Sequence, residues 1–296
     1  MSEHKLNRID PDQTGKSVID IDGLQVHCLT EGIGKPVLFF LHGSFLSVRS
    51  WRFVFERLSE RYTVIAIDRP AFGRTDRPVP VVGKFNPYSP EGQADLVVAI
   101  LEKLGHRQAV LVGNSTGGTI ALLTALRYPD KISGLVLADP MVYSGYATSE
   151  FPAWLYPVFK AATPAGAQLS KLMIGLVFNK LHRTFRHENS RPGNDLLTAY
   201  RRDLMQGRWG RAFWELLLSS HNLDLEAQLG RINVPALVIT GAQDRMVKPD
   251  ETIRLSRALS RALLQIIPDC GHLPQEEKPD IFIAAVSEFL DKHIGA

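Results

Sequence analysis

Gly113-Asn114-Ser115-Thr116-Gly117-Gly118 is the stretch of sequence that decides the fold. A short apolar run, Ala109-Val110-Leu111-Val112, precedes it and predicts a buried strand, and the apolar spacing of Thr116–Arg127 predicts a helix after it. A serine on so sharp a strand-to-helix turn needs small neighbours, which accounts for the glycines two residues before and after Ser115. The turn aims the backbone N–H of the next residue and the N-terminus of the helix at the place beside the serine hydroxyl where an oxyanion would develop. We therefore predict Ser115 as a nucleophile and the Thr116 N–H as a donor to an oxyanion.

Strand and helix patterns alternate along the chain on both sides of this turn. Val18–Asp22 and Val26–Thr30 predict a hairpin joined at Asp22-Gly23. Pro36–Leu41 is a continuous apolar run, as expected of a strand buried on both faces. Strand, helix and strand in succession predict an α/β fold with a mostly parallel eight-stranded sheet and helices on both faces. Further strands are predicted at Thr63–Ile67, Gly134–Ala138, Ala236–Thr240 and Leu263–Ile267, and further helices at Arg52–Ser59, Pro90–Leu104, Pro249–Leu259 and Pro279–His293.

One long segment interrupts this alternation. Residues 141–229 carry helical patterns and no convincing strand, so they are predicted to form an inserted helical lid on a core of residues 1–140 and 230–296. Polar breaks at Thr163-Pro164-Ala165-Gly166 and Asn189–Asn194 are expected to separate the lid helices. Residues 145–230 hold ten Lys/Arg and seven Asp/Glu, so the chain's net charge of +3 lies in this segment.

Composition narrows the class of protein. The chain has 296 residues, of which 45% are hydrophobic and 22% charged, as in an ordinary globular protein. A net charge of +3 without a Lys/Arg-rich run argues against a nucleic-acid partner. Two cysteines, Cys28 and Cys270, predict buried free thiols. Neither an apolar signal segment nor a membrane span is predicted, since the apolar-leaning stretch Leu169–Leu181 is short and contains two lysines. A cytoplasmic location is expected, and the oligomeric state stays open.

The loop after the third predicted strand offers a second oxyanion donor. Leu41-His42-Gly43-Ser44-Phe45 would turn tightly at the carboxyl edge of the sheet, where ligands of parallel sheets bind. Ser44 is the predicted donor of the second backbone N–H, with Phe45 as the alternative. His42 is expected to orient the loop by hydrogen bonds rather than to act as a base.

A base and its orienting acid are predicted after two later strands. Asp244 follows Ala236–Thr240, and His272 follows the last strand in a short loop bounded by glycine and proline. A serine hydroxyl needs a base, and an imidazole base needs a carboxylate that fixes its tautomer. We therefore predict Ser115, Asp244 and His272 as catalytic residues. Asp139, at the end of the sixth strand, is a rival for the acid role.

Taken together, these residues resemble the α/β-hydrolase superfamily, in its branch of serine esterases and carbon–carbon bond hydrolases. The order Ser, Asp, His along the chain is typical of that fold. The resemblance extends to Asp68–Pro78, which is similar to the family's loop after the fourth strand, and to Arg127–Ile132 after the nucleophile helix. It implies that a small ester or other acyl substrate lies between core and lid, that an acyl-enzyme forms on Ser115, and that no cofactor or metal takes part.

The resemblance leaves several reactions open. Ser115 argues against haloalkane dehalogenases and related epoxide hydrolases, which have aspartate there. His42-Gly43-Ser44 is similar to the carbon–carbon hydrolases of meta-cleavage pathways, but Phe45-Leu46-Ser47 replaces their Gly-Pro-Gly and Leu273 replaces their tryptophan. Ester or lactone hydrolysis is therefore expected first. The alternatives are carbon–carbon bond hydrolysis, a cofactor-free perhydrolase, a hydroxynitrile lyase, and a non-catalytic ligand-binding protein on the same fold.

Two groups of residues are candidates for substrate binding. The first group is predicted to contact the substrate in an apolar pocket and consists of Phe45, Trp154, Trp209 and Leu273. The further aromatic candidates for this pocket are Tyr156, Phe159, Phe178, Phe213 and Trp214. The second group is basic, and one of its arginines would bind an acidic substrate group unless the group is a solvated face. Its members are Lys180, Arg183, Arg186 and Arg191, with His182 and His187 between them.

Overall fold

The computed structural model describes residues 17–143, 153–187, 190 and 192–295. Every strand predicted from the sequence is present, with ends within two residues of those predicted. The strands are β1 (Ser17–Ile21), β2 (Leu24–Glu31), β3 (Val37–Leu41), β4 (Thr63–Ile67), β5 (Ala109–Asn114), β6 (Ile132–Ala138), β7 (Ala236–Gly241) and β8 (Ala262–Ile267).

These strands form a single sheet in the order β1-β2-β4-β3-β5-β6-β7-β8. The six strands from β3 to β8 are parallel, whereas β1 and β2 form an antiparallel hairpin that joins the sheet beside β4. Asp22 and Gly23 at the hairpin turn have φ 49° and 89°, the positive values that a tight two-residue turn requires. The predicted α/β fold is confirmed. Its parallel strands bring their carboxyl ends to one edge of the sheet, where the candidate site lies.

Eleven α-helices are present in the described residues. Two of them have the predicted bounds, whereas the first begins three residues later than predicted because a 3-10 turn over Val48–Trp51 precedes it. The helices are α1 (Phe55–Ser59), α2 (Pro90–Lys103), α3 (Thr116–Arg127), α4 (Tyr156–Ala161), α5 (Thr163–Thr184), α6 (Asn194–Leu204), α7 (Trp209–Ser219), α8 (Leu225–Gln228), α9 (Pro249–Ala258), α10 (Pro274–Glu277) and α11 (Pro279–His293).

Alternate residues of the central strands enter two separate apolar layers. On β5, Leu111 packs in a cluster with Ile120 of α3 and with residues of α2 and α9. Its neighbour Val112 packs on the other face with Phe289 of α11 and with residues of α1. Because side chains alternate along a strand, a continuous apolar run is the pattern that fills both layers.

The two cysteines are free and buried, as the sequence predicts. Cys28 belongs to the layer that contains α3, and Cys270 belongs to the layer that contains α11. Since the sheet separates the two layers, the two thiols have no route to each other in the folded chain.

The last strand departs from the expectation of two-sided burial. β8 is the edge of the sheet, and its side chains Leu263, Leu264 and Ile266 are exposed. Its apolar run is similar to those of the central strands, so the sequence pattern did not distinguish an edge from the centre.

All elements described between β6 and β7 are helical, running from α4 to α8 with short 3-10 turns. The division into a core and a lid over residues 141–229 stays a prediction, and residues 144–152 of that segment lie outside the described residues. The longest of these helices, α5, has 22 residues. No helix within the described ranges combines the length and the apolar character needed to cross a membrane.

One predicted helix break is wrong. Thr163-Pro164-Ala165-Gly166 forms the first turn of α5 instead of a loop. Proline is tolerated there because the first turn of a helix has no intrahelical partner for its missing N–H. The break lies one residue earlier, at Ala162 between α4 and α5. The second predicted break includes residues 189 and 191, which lie outside the described residues, and α6 begins at its last residue.

A buried carboxylate connects the helical segment to the rest of the fold. Glu276 of α10 accepts hydrogen bonds from Arg186 at 2.6 Å and from Arg52 at 2.9 Å, and Tyr200 of α6 donates its hydroxyl at 2.6 Å. Burial would raise the pKa of Glu276, but the two guanidinium groups and the hydrogen bonds lower it to about 2. Since an unpaired buried charge is costly, this cluster holds the end of α5 and α6 against the core.

Replacement of this carboxylate by an amide tests its contribution. We expect Glu276→Gln to lower the free energy of unfolding at pH 7 by about 3 kcal/mol or more, because two buried guanidinium groups lose their counter-charge. The wild-type carboxylate has a lower pKa folded than the ordinary 4.5, so its stabilisation is present above pH 4.5 and lost as pH falls towards 2. The difference between the two proteins in urea unfolding should therefore narrow below pH 4.5.

Asp280→Asn is the matched control. It removes an ion pair with Arg57 in which the Asp280 side chain is 85% exposed. Such a pair contributes about 1 kcal/mol or less. Equal losses for the two variants would contradict a structural role for the buried cluster.

Candidate active site

The turn at Ser115 has the geometry that its glycines predict. Ser115 has φ 54° and ψ −124°, between the end of β5 and the start of α3. A Cβ on Gly117 would lie 2.0 Å from the Leu41 carbonyl oxygen, and a Cβ on Gly113 would lie 2.6 Å from the Gly117 carbonyl oxygen. Neither approach is compatible with a side chain. The sequence therefore folds this way because both flanking positions lack a side chain, and within this turn the strained backbone conformation falls on Ser115.

His272 and Asp244 are joined by a short hydrogen bond. His272 Nδ1 lies 2.7 Å from Asp244 Oδ2, and both side chains are buried. The other carboxylate oxygen of Asp244 accepts the backbone N–H groups of Met246 at 2.7 Å and Val247 at 3.2 Å. A carboxylate held in this way fixes the imidazole with its proton on Nδ1, and leaves Nε2 as the basic nitrogen.

Asp139 lies beside this pair, entirely buried at the end of β6. Its Oδ1 accepts hydrogen bonds from the Thr240 hydroxyl at 2.8 Å and the Gly241 N–H at 3.2 Å, whereas no donor reaches Oδ2 in the described part of the chain. Burial and the neighbouring Asp244 carboxylate raise the pKa of Asp139 well above its ordinary value. Burial thus favours the neutral form of Asp139, and of the two carboxyl groups only Asp244 contacts His272 through a hydrogen bond.

Asp139, Asp244 and His272 also form the one cluster in the described residues whose atoms could approach a common cation. One potential ligand atom from each lies within 4.8 Å of the others. The 2.7 Å bond to Asp244 requires a proton on His272 Nδ1, so that nitrogen has no lone pair to offer. The cluster is better suited to holding a proton than to binding a metal.

Two residues that the sequence did not indicate support the His272 loop. The Asn114 side-chain amide donates to the His272 carbonyl at 3.0 Å and to the Ala138 carbonyl at 3.1 Å. The backbone N–H of His272 donates to the carbonyl of Phe185, just beyond α5, at 2.8 Å. The backbone of His272 is thus held on one side by the residue before Ser115 and on the other by the helical segment.

The carboxylate of Glu277 holds the same loop through backbone N–H groups. It accepts the N–H groups of Gly271 at 3.1 Å and Leu273 at 3.2 Å, which flank His272, and that of His187 at 2.8 Å. A Cβ on Gly271 would lie 2.7 Å from the His187 nitrogen, so the loop and the helical segment are in close contact. Only tertiary contacts reveal this role, because an acid five residues after a histidine has no distinctive spacing.

The predicted oxyanion loop lies beside the Ser115 turn. The hydroxyls of Ser44 and Thr116 are 3.0 Å apart, and Arg69 donates to the Thr116 hydroxyl at 2.9 Å. Phe45 has φ 63°, and its carbonyl accepts Nε2–H of His182 on α5 at 3.0 Å. The loop is therefore positioned from both the core and the helical segment.

His42 lies in this loop with both ring nitrogens bonded to backbone groups. Nδ1 donates to the Gly43 carbonyl at 2.7 Å, and Nε2 accepts the Arg69 N–H at 3.0 Å. Burial and the Arg69 charge lower the pKa of His42 to about 4. A neutral imidazole with no free nitrogen can orient a loop, and it has no free lone pair with which to take a proton.

Ser115 and His272 line a cavity of about 250 Å³. Two further groups of lining residues come from the end of α5 and from α7. Leu181 and Phe185, just beyond the helix, are four residues apart, and Phe213, Leu216 and Leu217 are three and four residues apart. Such spacing indicates one face of a helix, which is the signal that could have identified them from the sequence. The remaining lining residues are Gly43, Ser44, Phe45, Leu46, Thr116, Met141 and Met246.

Several predicted substrate contacts do not reach this cavity. Trp154 is 73% exposed, whereas Trp209 and Leu273 are buried in a cluster between core and helical segment. Of the four residues predicted to contact substrate, only Phe45 lines the cavity, and of the further aromatic candidates only Phe213 does. An aromatic residue on a lid helix faces inward or outward according to the rotation of the helix, which composition does not determine.

The described members of the basic group do not line the cavity either. Lys180 and Arg183 are exposed, and Arg186 is buried against Glu276. Arg191 lies outside the described residues. Neither Arg183 nor Arg186 lines the cavity, and the binding of an acidic substrate group by an arginine of this group stays a prediction.

Comparisons with known proteins agree with this geometry. Residues 36–279 match the family model described as alpha/beta hydrolase fold. "Uncharacterized hydrolase YugF" of Bacillus subtilis is 31% identical over 91% of this chain and 96% of the relative. The 2-hydroxymuconate semialdehyde hydrolase of Pseudomonas sp. strain CF600 is 29% identical over 94% of each chain. A thermophilic esterase from Thermogutta terrifontis superposes with a TM-score of 0.73 and 25% identity, covering 94% of this chain and 97% of the esterase.

The family match spans most of the chain and includes the strands that carry Ser115, Asp244 and His272. It agrees with the eight-stranded, mostly parallel sheet of the structure. This chain therefore belongs to the alpha/beta hydrolase fold family.

Proposed function

We propose that the chain is a serine hydrolase that cleaves esters or lactones through an acyl-enzyme. The acyl group of its substrates is uncharged and apolar. The observation that carries this proposal is the 2.7 Å bond from His272 Nδ1 to Asp244, at a cavity that Ser115 and His272 both line. A buried acid, an oriented imidazole and a strained serine are the parts that acyl transfer needs.

In the first half of the reaction, Ser115 Oγ attacks the substrate carbonyl carbon while His272 Nε2 takes the hydroxyl proton. Backbone N–H groups of Ser44 and Thr116 bind the oxygen as it becomes negative, and the start of α3 adds a favourable dipole. Asp244 stabilises the imidazolium. The bond to the leaving oxygen breaks, His272 returns the proton to that oxygen, and the acyl group stays on Ser115.

In the second half, water replaces the alcohol. His272 Nε2 takes a proton from the water as its oxygen attacks the acyl carbon, and the same N–H groups bind the new oxyanion. The Ser115 ester bond breaks, and His272 returns the proton to the serine oxygen. The acid leaves, and the charge states of all three residues are restored.

The cavity lining supports an uncharged acyl group. Apart from His272, none of the described residues that line the cavity has an ionisable side chain, and most are Leu, Met or Phe. A carboxylate placed there would lose its hydration without gaining an ion pair, which costs several kcal/mol. Esters and lactones of apolar acids avoid that cost.

Carbon–carbon bond hydrolysis is the second candidate. It is supported by relatives such as the 2-hydroxymuconate semialdehyde hydrolase and a 2-hydroxy-6-oxo-2,4-heptadienoate hydrolase of Pseudomonas putida, which is 29% identical. A dienoate is an anion, and the apolar cavity lining argues against such a substrate here. Perhydrolase and hydroxynitrile lyase activities, and a non-catalytic binding role, have no observation of their own in their favour.

Covalent labelling tests the activated serine. A fluorophosphonate should add once to the wild-type protein, as followed by intact mass, because His272 activates Ser115 for attack at phosphorus. Ser115→Ala and His272→Ala should give no adduct. His42→Ala serves as a histidine control, and labelling that required His42 but not His272 would contradict the assignment of the base.

The two buried carboxyl groups are expected to differ sharply. Asp244→Asn should lower kcat for a chromogenic ester by roughly 10³–10⁴-fold, because the amide cannot fix the imidazole tautomer. Asp139→Asn should change kcat by less than about tenfold, because an amide resembles the neutral carboxyl group that burial imposes there. The reverse order of effects in steady-state kinetics would transfer the acid role to Asp139.

The charge preference separates the two candidate reactions. We expect kcat/KM for p-nitrophenyl pentanoate to exceed that for the anionic p-nitrophenyl hemisuccinate by about 100-fold or more. Leu217→Arg, which places a cation in the cavity lining, should narrow this difference. An equal or higher rate with the anionic ester would favour a dienoate-type substrate.

A further inference from the structure

Exposed apolar side chains are concentrated on α4, α5 and the 3-10 turn that precedes α4. In the described part of the chain, 18 large apolar side chains are exposed, and eight of them lie between residues 154 and 177. Monomeric soluble proteins seldom expose large contiguous apolar patches unless the patch binds something, so a concentration of exposed apolar residues in one segment calls for an explanation. We call these eight side chains the outer surface: Trp154, Tyr156, Val158, Leu169, Leu172, Met173, Leu176 and Val177.

The arrangement on α5 shows that this exposure is organised. Buried positions such as Gly166, Ser170 and Phe178 follow one side of the helix, and Gly166 packs against Trp214 of α7. The exposed residues Leu169, Leu172, Met173 and Leu176 have the spacing of a single face. That face points away from α7. A solvent-facing helix surface is ordinarily polar, so a leucine-rich one indicates a surface that is covered in use.

The charged side chains of the segment that carries the outer surface are all basic. Residues 153–187 contain five Lys/Arg and no Asp or Glu. Arg186 pairs with Glu276, whereas the other four are exposed, and no ion pair is recorded for them among the described residues. Lys180 and Arg183 lie four and seven residues after Leu176, so they continue the apolar face towards the end of α5. The other two are Lys160 and Lys171.

This charge distribution selects between two occupants. A second copy of the chain, packed face to face, would bring the lysines and arginines of the two segments together, and like charges at an interface cost free energy. An anionic lipid surface offers hydrocarbon to the leucines and phosphates to the basic residues. Trp154, which is 73% exposed, is of the residue type enriched at membrane–water interfaces.

We propose that the outer surface of α4 and α5 binds the surface of an anionic phospholipid bilayer. The leucines and Trp154 enter the boundary between headgroups and acyl chains, and Lys180 and Arg183 contact phosphate. Binding is peripheral, since it uses one side of a helix whose other side packs on α7. It does not depend on the hydrolase activity, so its test uses no enzymatic readout.

Sedimentation with vesicles tests the proposal. The full chain should sediment with large unilamellar vesicles of phosphatidylglycerol and phosphatidylcholine, and bind vesicles of phosphatidylcholine alone at least tenfold more weakly. Leu172→Gln/Leu176→Gln should lower the partition coefficient by about tenfold or more, because two leucines lose their transfer into hydrocarbon. Lys180→Gln/Arg183→Gln should lower it by about tenfold or more on anionic vesicles only, because each basic residue contributes about 1 kcal/mol there.

A matched control is available at the edge of the sheet. Leu263→Gln/Leu264→Gln replaces two exposed leucines of β8 without changing charge, and its vesicle binding should equal that of the wild type. Circular dichroism and thermal unfolding establish that each variant folds. Trp154 fluorescence should shift to shorter wavelength with anionic vesicles, and Trp154→Phe should remove the shift.

Three results would overturn the proposal. The wild type could fail to sediment with anionic vesicles, or the β8 control could lose binding as strongly as the α5 variant. Alternatively, gel filtration could show a dimer that Leu172→Gln/Leu176→Gln dissociates, while vesicles bind neither protein. In that last case the occupant of the surface is a second copy of the chain.

Discussion

The positive φ of Ser115 is the constraint on which the site depends. A non-glycine residue with φ 54° carries backbone strain, of the order of 1–3 kcal/mol, and persists only where its surroundings fix it. Here the surroundings are two glycines, Gly113 and Gly117, pressed against neighbouring backbone within distances that exclude any side chain. Gly43 adds a third close approach, since a Cβ on it would lie 3.0 Å from the Cβ of Ser115. The turn, the oxyanion loop and β3 are therefore packed as one unit.

The parallel sheet brings the remaining groups to this turn. β5 ends at Ser115, β7 is followed by Asp244, and β8 is followed by the loop with His272. Because these strands share a direction, their carboxyl ends lie along one edge. The order Ser, Asp, His in the chain thus becomes a contact of 2.7 Å between two residues 28 positions apart.

The sequence was sufficient for this framework and insufficient for what surrounds it. Strands were predictable because continuous apolar runs are required to fill both layers beside the sheet, and Ser115 because its glycines are sterically required. Asn114 and Glu277 could not be predicted as supports of the His272 loop. Asn114 bonds the carbonyl of His272, which is distant in the chain, and Glu277 bonds backbone N–H groups at a spacing that is not distinctive. The placement of Trp154 failed for another reason: the rotation of the lid helices is set by packing on α7 and by the Glu276 cluster, which no local pattern encodes.

The helical segment contributes hydrogen bonds that hold the backbone of the His272 loop, so it does more than cover the site. The His272 N–H is bonded to the Phe185 carbonyl, Glu277 joins the loop to His187, and Glu276 binds Arg186. A movement of the end of α5 would break hydrogen bonds made by the backbone of His272 itself. The position of the His272 imidazole and the shape of the cavity are therefore coupled through the same few residues.

The helix α5 joins the cavity to the outer surface. Its end supplies Leu181 to the cavity lining, while Leu172 and Leu176 are exposed on its outer face. A helix that is apolar on several sides is stable in water only if each apolar side is covered, and α7 covers one side alone. An α-helix with its side chains is about 10 Å across, so a surface that covered the outer leucines would lie within one helix diameter of the cavity. An uncharged apolar ester is more soluble in an apolar surface than in water. The cavity lining and the outer face of α5 therefore both favour apolar molecules.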